Sequence, residues 1–283
     1  MPNAFWYVML ALSALTPFVY ALWKVRDKKI IATYSFLGGI TFIAEYVVFT
    51  LLHSYEYMPH ILDRNYFDDV MGAFFSDAFV IPMTGSVVAA FQLRFRSICL
   101  VAVIIGLIEE LFLTLGLYRH IWWRTLFTVV GAVLWFVVAK RLYPLLHRRM
   151  PGLLHALLIY LASTFVHASI VFFVVALFGA YRYQVGWFQD QTRGHVAFAT
   201  TYILGWGLIF TPLVVFRLRW GWRILVLLLT LPADWLLWRS GILHLTPRWS
   251  LFHFLVMRLA VLFVLDAYNR FILDHNRPPE IAG

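Results

Sequence analysis

Nine apolar runs, each about 20 residues long, recur near 4–23, 30–53, 70–93, 97–117, 122–143, 152–180, 196–216, 222–239 and 250–270. About 20 apolar residues in an α-helix cross the hydrocarbon core of a bilayer, and a backbone in lipid must satisfy its own hydrogen bonds. The expected fold is therefore all-α, a polytopic transmembrane bundle of about nine spanning helices. Composition agrees, since 62% of the residues are hydrophobic and only 13% charged, against about 25% charged in a soluble domain. The N-terminal "MPNAFWYVML" lacks the positive start of a secretory signal, so the first run reads as a true spanning helix.

The net charge of +9 is a matter of topology and not of nucleic acid. The Lys and Arg residues stand in short clusters between the apolar runs, and no long basic face is available for a duplex. With the first connection placed in the cytoplasm, roughly fifteen basic residues fall on that side, in the clusters around Lys24–Lys29, Arg94–Arg96, Lys140–Arg149, Arg217–Arg223 and Arg270–Arg277. Roughly seven fall on the other, from Arg64 to Arg248. The positive-inside rule then puts the N-terminus outside and the C-terminus inside. The single cysteine, Cys99, sits in an apolar run, so neither a disulfide nor a cysteine-based metal site is expected.

Sliding the chain on itself by about 125 residues lays "LRF" at 93–95 on "LRW" at 218–220, Glu109 on Asp234, Gly116 on Gly241, "TLF" at 125–127 on "SLF" at 250–252 and Tyr143 on Tyr268. "YEY" at 55–57 meets "YRY" at 181–183 after a one-residue slip. The expected organisation is a leading helix with its basic loop over 1–29, a four-helix repeat over 30–151, and a second four-helix repeat with a cytoplasmic tail over 152–283. An even number of helices per repeat makes the two parallel.

The order "EY" at 45–46, an aromatic-rich acidic loop, the Pro-containing "SDAFVIP" and then "IEELFLTLGLYRHIWWRTLFT" resembles the small uncharacterised five-helix membrane proteins of spore-forming bacteria. The likeness covers about the first 150 residues. It implies a bacterial cytoplasmic membrane and no particular activity.

An ionised side chain at the bilayer centre costs about 2.5–3.5 kcal/mol on insertion scales, so such groups belong in the bundle interior or in a wet cavity. At 1.5 Å of rise per residue, Glu45, Asp77, Glu109, Glu110, His167, Asp234 and Arg258 all fall between the middle and the outer end of their helices. Together they are expected to border an outward-facing, mostly acidic cavity, with Glu109 across from Asp234. Each has a structural alternative: Asp234 and Arg258 as a mutual ion pair, His167 as a hydrogen-bonded core residue, Glu45 and Asp77 as links to neighbouring helices. Adjacent Glu109 and Glu110 diverge by about 100° around the helix, so one is expected to face the cavity and the other a partner such as Arg119 or Arg258. The outer loop "YEYMPHILDRNYFDD" brings His60, Asp63, Asp68 and Asp69 close in sequence; a hard-cation site is one reading, a solvated acidic loop the preferred one. Pro82, Pro212, "LGG" at 37–39 and "GWG" at 205–207 are expected to interrupt helices near the cavity.

Three functions suit these features. The leading one is a transporter or permease-like protein whose acidic cavity binds a proton, a cation or a small cationic solute. The second is a non-enzymatic sensor, assembly factor or scaffold, acting with a membrane-protein partner or a second copy of itself. The third is an intramembrane hydrolase using Glu109 and Glu110. That pair, with histidines on other helices, is similar to the glutamate-dependent proteases of the CAAX-processing kind, but the expected Arg four residues beyond the second Glu is Thr114, and Ser163 stands where a Phe should precede His167. No nucleophile elbow or zinc-protease motif is present. No cofactor is implied, and whether a metal binds is open.

Overall fold

The apolar runs fold as helices whose lengths match a bilayer crossing. In a computed structural model, which describes residues 2–62, 65–148 and 151–273, nine helices among the described residues are long and apolar enough to span a membrane. They are α1 (Asn3–Val25), α2 (Lys29–Leu51), α3 (Tyr66–Ala90), α4 (Phe95–Thr114), α5 (Thr125–Leu145), α6 (Gly152–Phe178), α7 (Gln191–Val215), α8 (Trp220–Arg239) and α9 (Leu251–Leu273). The protein is thus a multi-pass membrane protein by architecture. Asp63, Arg64, Arg149 and Arg277, used above, lie outside the described residues.

The centre of the bundle is the contact of α2 with α6, flanked by α3, α7 and α9. The "LGG" stretch explains it. Gly38 and Gly39 do not break α2, which is helical through them; they let α6 approach so closely that a Cβ on Gly39 would lie 2.2 Å from the Leu161 carbonyl oxygen. Small residues at a helix crossing are how membrane helices gain packing where no hydrophobic drive separates protein from lipid. Gly207 serves likewise against the Tyr160 ring, and α7 is helical through 205–207 and through Pro212. The expectation that these glycines interrupt helices is therefore corrected: Gly38, Gly39 and Gly207 serve close packing, and Gly205 meets no neighbour. Helices α4, α5 and α8 are the least buried and turn Leu107, Leu126 and Leu229 outward, as a lipid-facing surface requires.

Among the described residues, the departure from an all-helical plan lies at a single end of the bundle. Strand β1 (Tyr55–Tyr57) pairs antiparallel with β2 (Tyr118–His120), and β3 (Tyr181–Tyr183) with β4 (Leu243–Leu245). Gly116 and Gly241, each in the left-handed region (φ 67° and 73°), turn the chain out of α4 and α8 toward β2 and β4. The N-terminus belongs to this end too: Tyr7 of α1 donates to the Leu117 carbonyl at 2.5 Å and accepts from the Met58 N–H at 3.2 Å.

The opposite end carries its own polar knot. Asp27 accepts from the Tyr143 hydroxyl, from the Lys29 N–H at 2.9 Å and from His147 Nε2 at 2.8 Å. Partial burial pushes its carboxyl up, but these hydrogen bonds outweigh it and hold the group below the usual aspartate value. A group depressed in the folded state stabilises above its unfolded pKa of about 3.9 and loses that contribution as pH falls through the folded value. Melting temperature followed from pH 6 to pH 3 is expected to fall below about pH 4 in the parent. Asp27→Asn should begin lower and show a shallower fall over that window; parallel curves would mean the knot carries no charge-dependent stability.

Candidate functional site

Glu45 and Asp77 sit where their helices depart from α geometry. Tyr46–Leu51, directly after Glu45, and Ser76–Val80, around Asp77, are π-helical turns. A π-turn adds a residue to the turn and re-aims the side chains beside it, and such turns recur at functional sites. Pro82 contributes: it has no N–H for the Ala78 carbonyl four residues back, and the Tyr34 hydroxyl of α2 donates to that carbonyl instead, at 3.0 Å.

Both acids border a partly open cavity of about 310 Å³ lined by α1, α2, α3, α4, α5 and the β1–β2 pair. Glu45 Oε2 accepts from the Tyr55 hydroxyl at 2.6 Å, while Glu45 Oε1 is buried with no hydrogen-bond partner among the described residues. Asp77 is only 4% exposed and has no hydrogen bond or ion pair among the described residues. Glu109 reaches the same cavity from α4 and lies 2.8 Å from His120 Nε2 on β2. The remaining walls are largely apolar, with an aromatic portion that includes Tyr55, Tyr57, Tyr118, Trp123 and Trp135. Burial, reinforced by nearby carboxylates such as Glu45, pushes the phenols of Tyr55, Tyr57 and Tyr118 well above their usual value. They are neutral at physiological pH.

Glu45 and Asp77 also border a second cavity of about 100 Å³ on the other side, toward α6 and α7, with Thr164, His195 and Thr200. The two acids thus stand between a chamber inside the first half and one between the halves.

The single cavity expected from helix depth is divided. Asp234 and Arg258 do not face Glu109: Arg258 Nη1 and Nη2 lie 2.5 and 2.6 Å from the Asp234 carboxylate, both residues almost fully buried. His167 borders a space of about 10 Å³ beside Arg258. It is buried, and its Nδ1 has no hydrogen-bond partner among the described residues, so the core histidine is not the hydrogen-bonded one expected there. Glu110 turns away from the cavity and accepts from the Thr125 hydroxyl at 2.5 Å, while Arg119 pairs with Glu56; neither Arg119 nor Arg258 is its partner. Asp266, near the far end of α9, is shared by Arg223 at 2.7 Å and Arg270 at 2.8 Å.

The acidic outer loop is stitched to its own backbone. Asp68 accepts from the N–H groups of His60, Ile61 and Leu62, and Asp69 from that of Tyr57 at 2.6 Å. Both oxygens of Asp68 and Oδ1 of Asp69 are used for loop closure, and no group of three or more His, Cys, Asp or Glu among the described residues is placed to hold a metal ion.

Sequence reasoning missed His120 and the tyrosines of β1 and β2. Their signal was the alternation of aromatic and charged residues in "YEY" and "YRH", which reads as strand more than helix. Comparison with family models, with curated proteins and with solved structures finds no match to the chain.

Proposed function

We propose that this is a transporter or permease-like protein whose first half binds a small cation between Glu45, Asp77 and Glu109. One observation carries the reading: carboxylates from three helices converge on one cavity, and two of them, Glu45 through Oε1 and Asp77, reach it without a protein partner among the described residues. Acids that served only to join helices would be paired locally, as Asp234 and Asp266 are. The position of Glu45 and Asp77 between two cavities supports passage, because a cation held there has space on either side.

The strand-bearing end is taken as the outer face of a bacterial cytoplasmic membrane, since the basic clusters gather at the other end. Two related four-helix units are part of the same reading. In support, Tyr57 and Tyr183, 126 residues apart, each bond through the backbone N–H to a side chain twelve positions on, Asp69 and His195. The sensor or scaffold reading is favoured only at Asp234, Arg258 and Asp266. A hydrolase using both glutamates is less well served, because Glu110 faces away from Glu109.

The test is a thermal-shift screen in nanodiscs with inorganic cations, amines and guanidines. A ligand at about 100 times its Kd stabilises by about 2.7 kcal/mol, which for a chain of this size is a shift of several degrees. At least one cation is expected to give that shift in the parent but not in Glu45→Gln or Asp77→Asn. Equal responses in parent and variants, or none in any, would remove the proposal.

A further inference from the structure

The second half of the chain holds a cation of its own in a cage built from equivalent elements. The Arg258 guanidinium grips Asp234 with two parallel hydrogen bonds, and its centre lies 3.7 Å from the centroid of the Trp206 ring. Tyr202 donates to the same carboxylate at 2.7 Å, and Tyr181, Tyr183 and Phe254 complete the surroundings. Carboxylate at the edge and aromatic ring at the face is the pairing that suits guanidinium best. So filled, the space beside Arg258 is about 10 Å³, at the limit of what one water needs, about 10–15 Å³.

The first half has the same kinds of parts without the guanidinium. β1 and β2 supply tyrosines as β3 does, and Glu109 stands 125 positions before Asp234. Yet α5, the counterpart of α9, has no basic residue from 125 to 139. What remains is about 310 Å³, at the lower end of small-molecule sites, which run from about 300 to 1,000 Å³. A hard metal cation would need six or more oxygen ligands, and beyond the three carboxylates these walls are mostly aliphatic and aromatic side chains.

Building on the cation-binding reading above, we infer that the first cavity takes a small organic cation with planar, delocalised charge, a guanidinium or amidinium, held as the second half holds Arg258. Glu45 and Asp77 receive its N–H groups, and the surrounding tyrosines and tryptophans take its face.

The test is calorimetric titration of the full chain in nanodiscs with phenylguanidinium, tetramethylammonium and sodium chlorides. Phenylguanidinium is expected to bind at least ten-fold more tightly than tetramethylammonium, with no measurable sodium binding, and Glu45→Gln to weaken it at least ten-fold. Gly131 borders the cavity, and a Cβ there would meet nothing within 4 Å. Gly131→Arg should therefore place a guanidinium in the cavity from within, abolishing phenylguanidinium binding while melting no lower than the parent. Should that variant fail to fold, Asp77→Asn serves in its place, with at least ten-fold weaker binding expected. Phenylguanidinium binding that survives these substitutions overturns the inference. Glu45-dependent binding of sodium or tetramethylammonium without preference for guanidinium overturns it too, and leaves the broader cation site standing. Binding of no cation at all removes both.

Discussion

Gly39→Ala is expected to destabilise the protein by about 3 kcal/mol or more, the upper range for overpacking a well-filled site. The reason is the nature of the obstacle. An added Cβ would lie 2.2 Å from the Leu161 carbonyl oxygen and 2.7 Å from its carbon, both main-chain atoms of α6, so no side-chain rotation relieves the clash. The helices would have to separate along the α2–α6 seam, where Ile30, Leu37, Leu158, Leu161 and Ala162 are almost completely buried. Gly205→Ala, where a Cβ meets nothing within 4 Å, should change stability little and gain slightly from helix propensity. Unfolding in mixed micelles compares the two. Equal effects would mean that helix propensity, and not close approach, decides both.

Breaking the Asp234–Arg258 pair from either side should cost about 3–5 kcal/mol, because each substitution leaves one charge buried without its partner. Arg258→Met strands a carboxylate that is 0% exposed, next to Tyr202; Asp234→Asn strands a guanidinium that is 2% exposed. The double replacement Asp234→Leu with Arg258→Met removes both charges and is expected to cost less than either single change, since apolar groups of similar volume often replace buried ion pairs without loss. A double-mutant cycle from equilibrium unfolding measures the coupling. Single changes costing under about 1 kcal/mol, in the range of ordinary hydrogen bonds between membrane helices, would show that water or lipid headgroups reach this pair. Cation binding in the first cavity should be unaffected in the folded double variant, because neither residue borders that cavity.

Much of the architecture was readable from the chain. The nine apolar runs give nine spanning helices with ends shifted by a few residues, because a run of about 20 apolar residues has no stable arrangement in lipid other than a helix. Position along each helix was readable as well, since the rise per residue is constant and counting from the helix end places each acid along its axis. The strands were not recovered, because three residues of alternating aromatic and charged type weigh little beside an apolar run that continues into them.

What the sequence by itself determined is therefore the number of spanning helices among the described residues, their class and the position of each charged group along its helix. Which charged groups meet was decided only by the tertiary structure, because a partner depends on the rotation of each helix about its axis. That rotation follows from packing and from irregular turns that an apolar pattern does not encode. The π-turns at Tyr46–Leu51 and Ser76–Val80 adjoin Glu45 and contain Asp77, two acids at one cavity. Close packing of α2 on α6 through Gly38 and Gly39 sets the first half beside the second. Asp234, the fifteenth residue of α8 as Glu109 is of α4, is turned instead toward Arg258, and so one apparent cluster of acids became an open site in one half and a closed ion pair in the other.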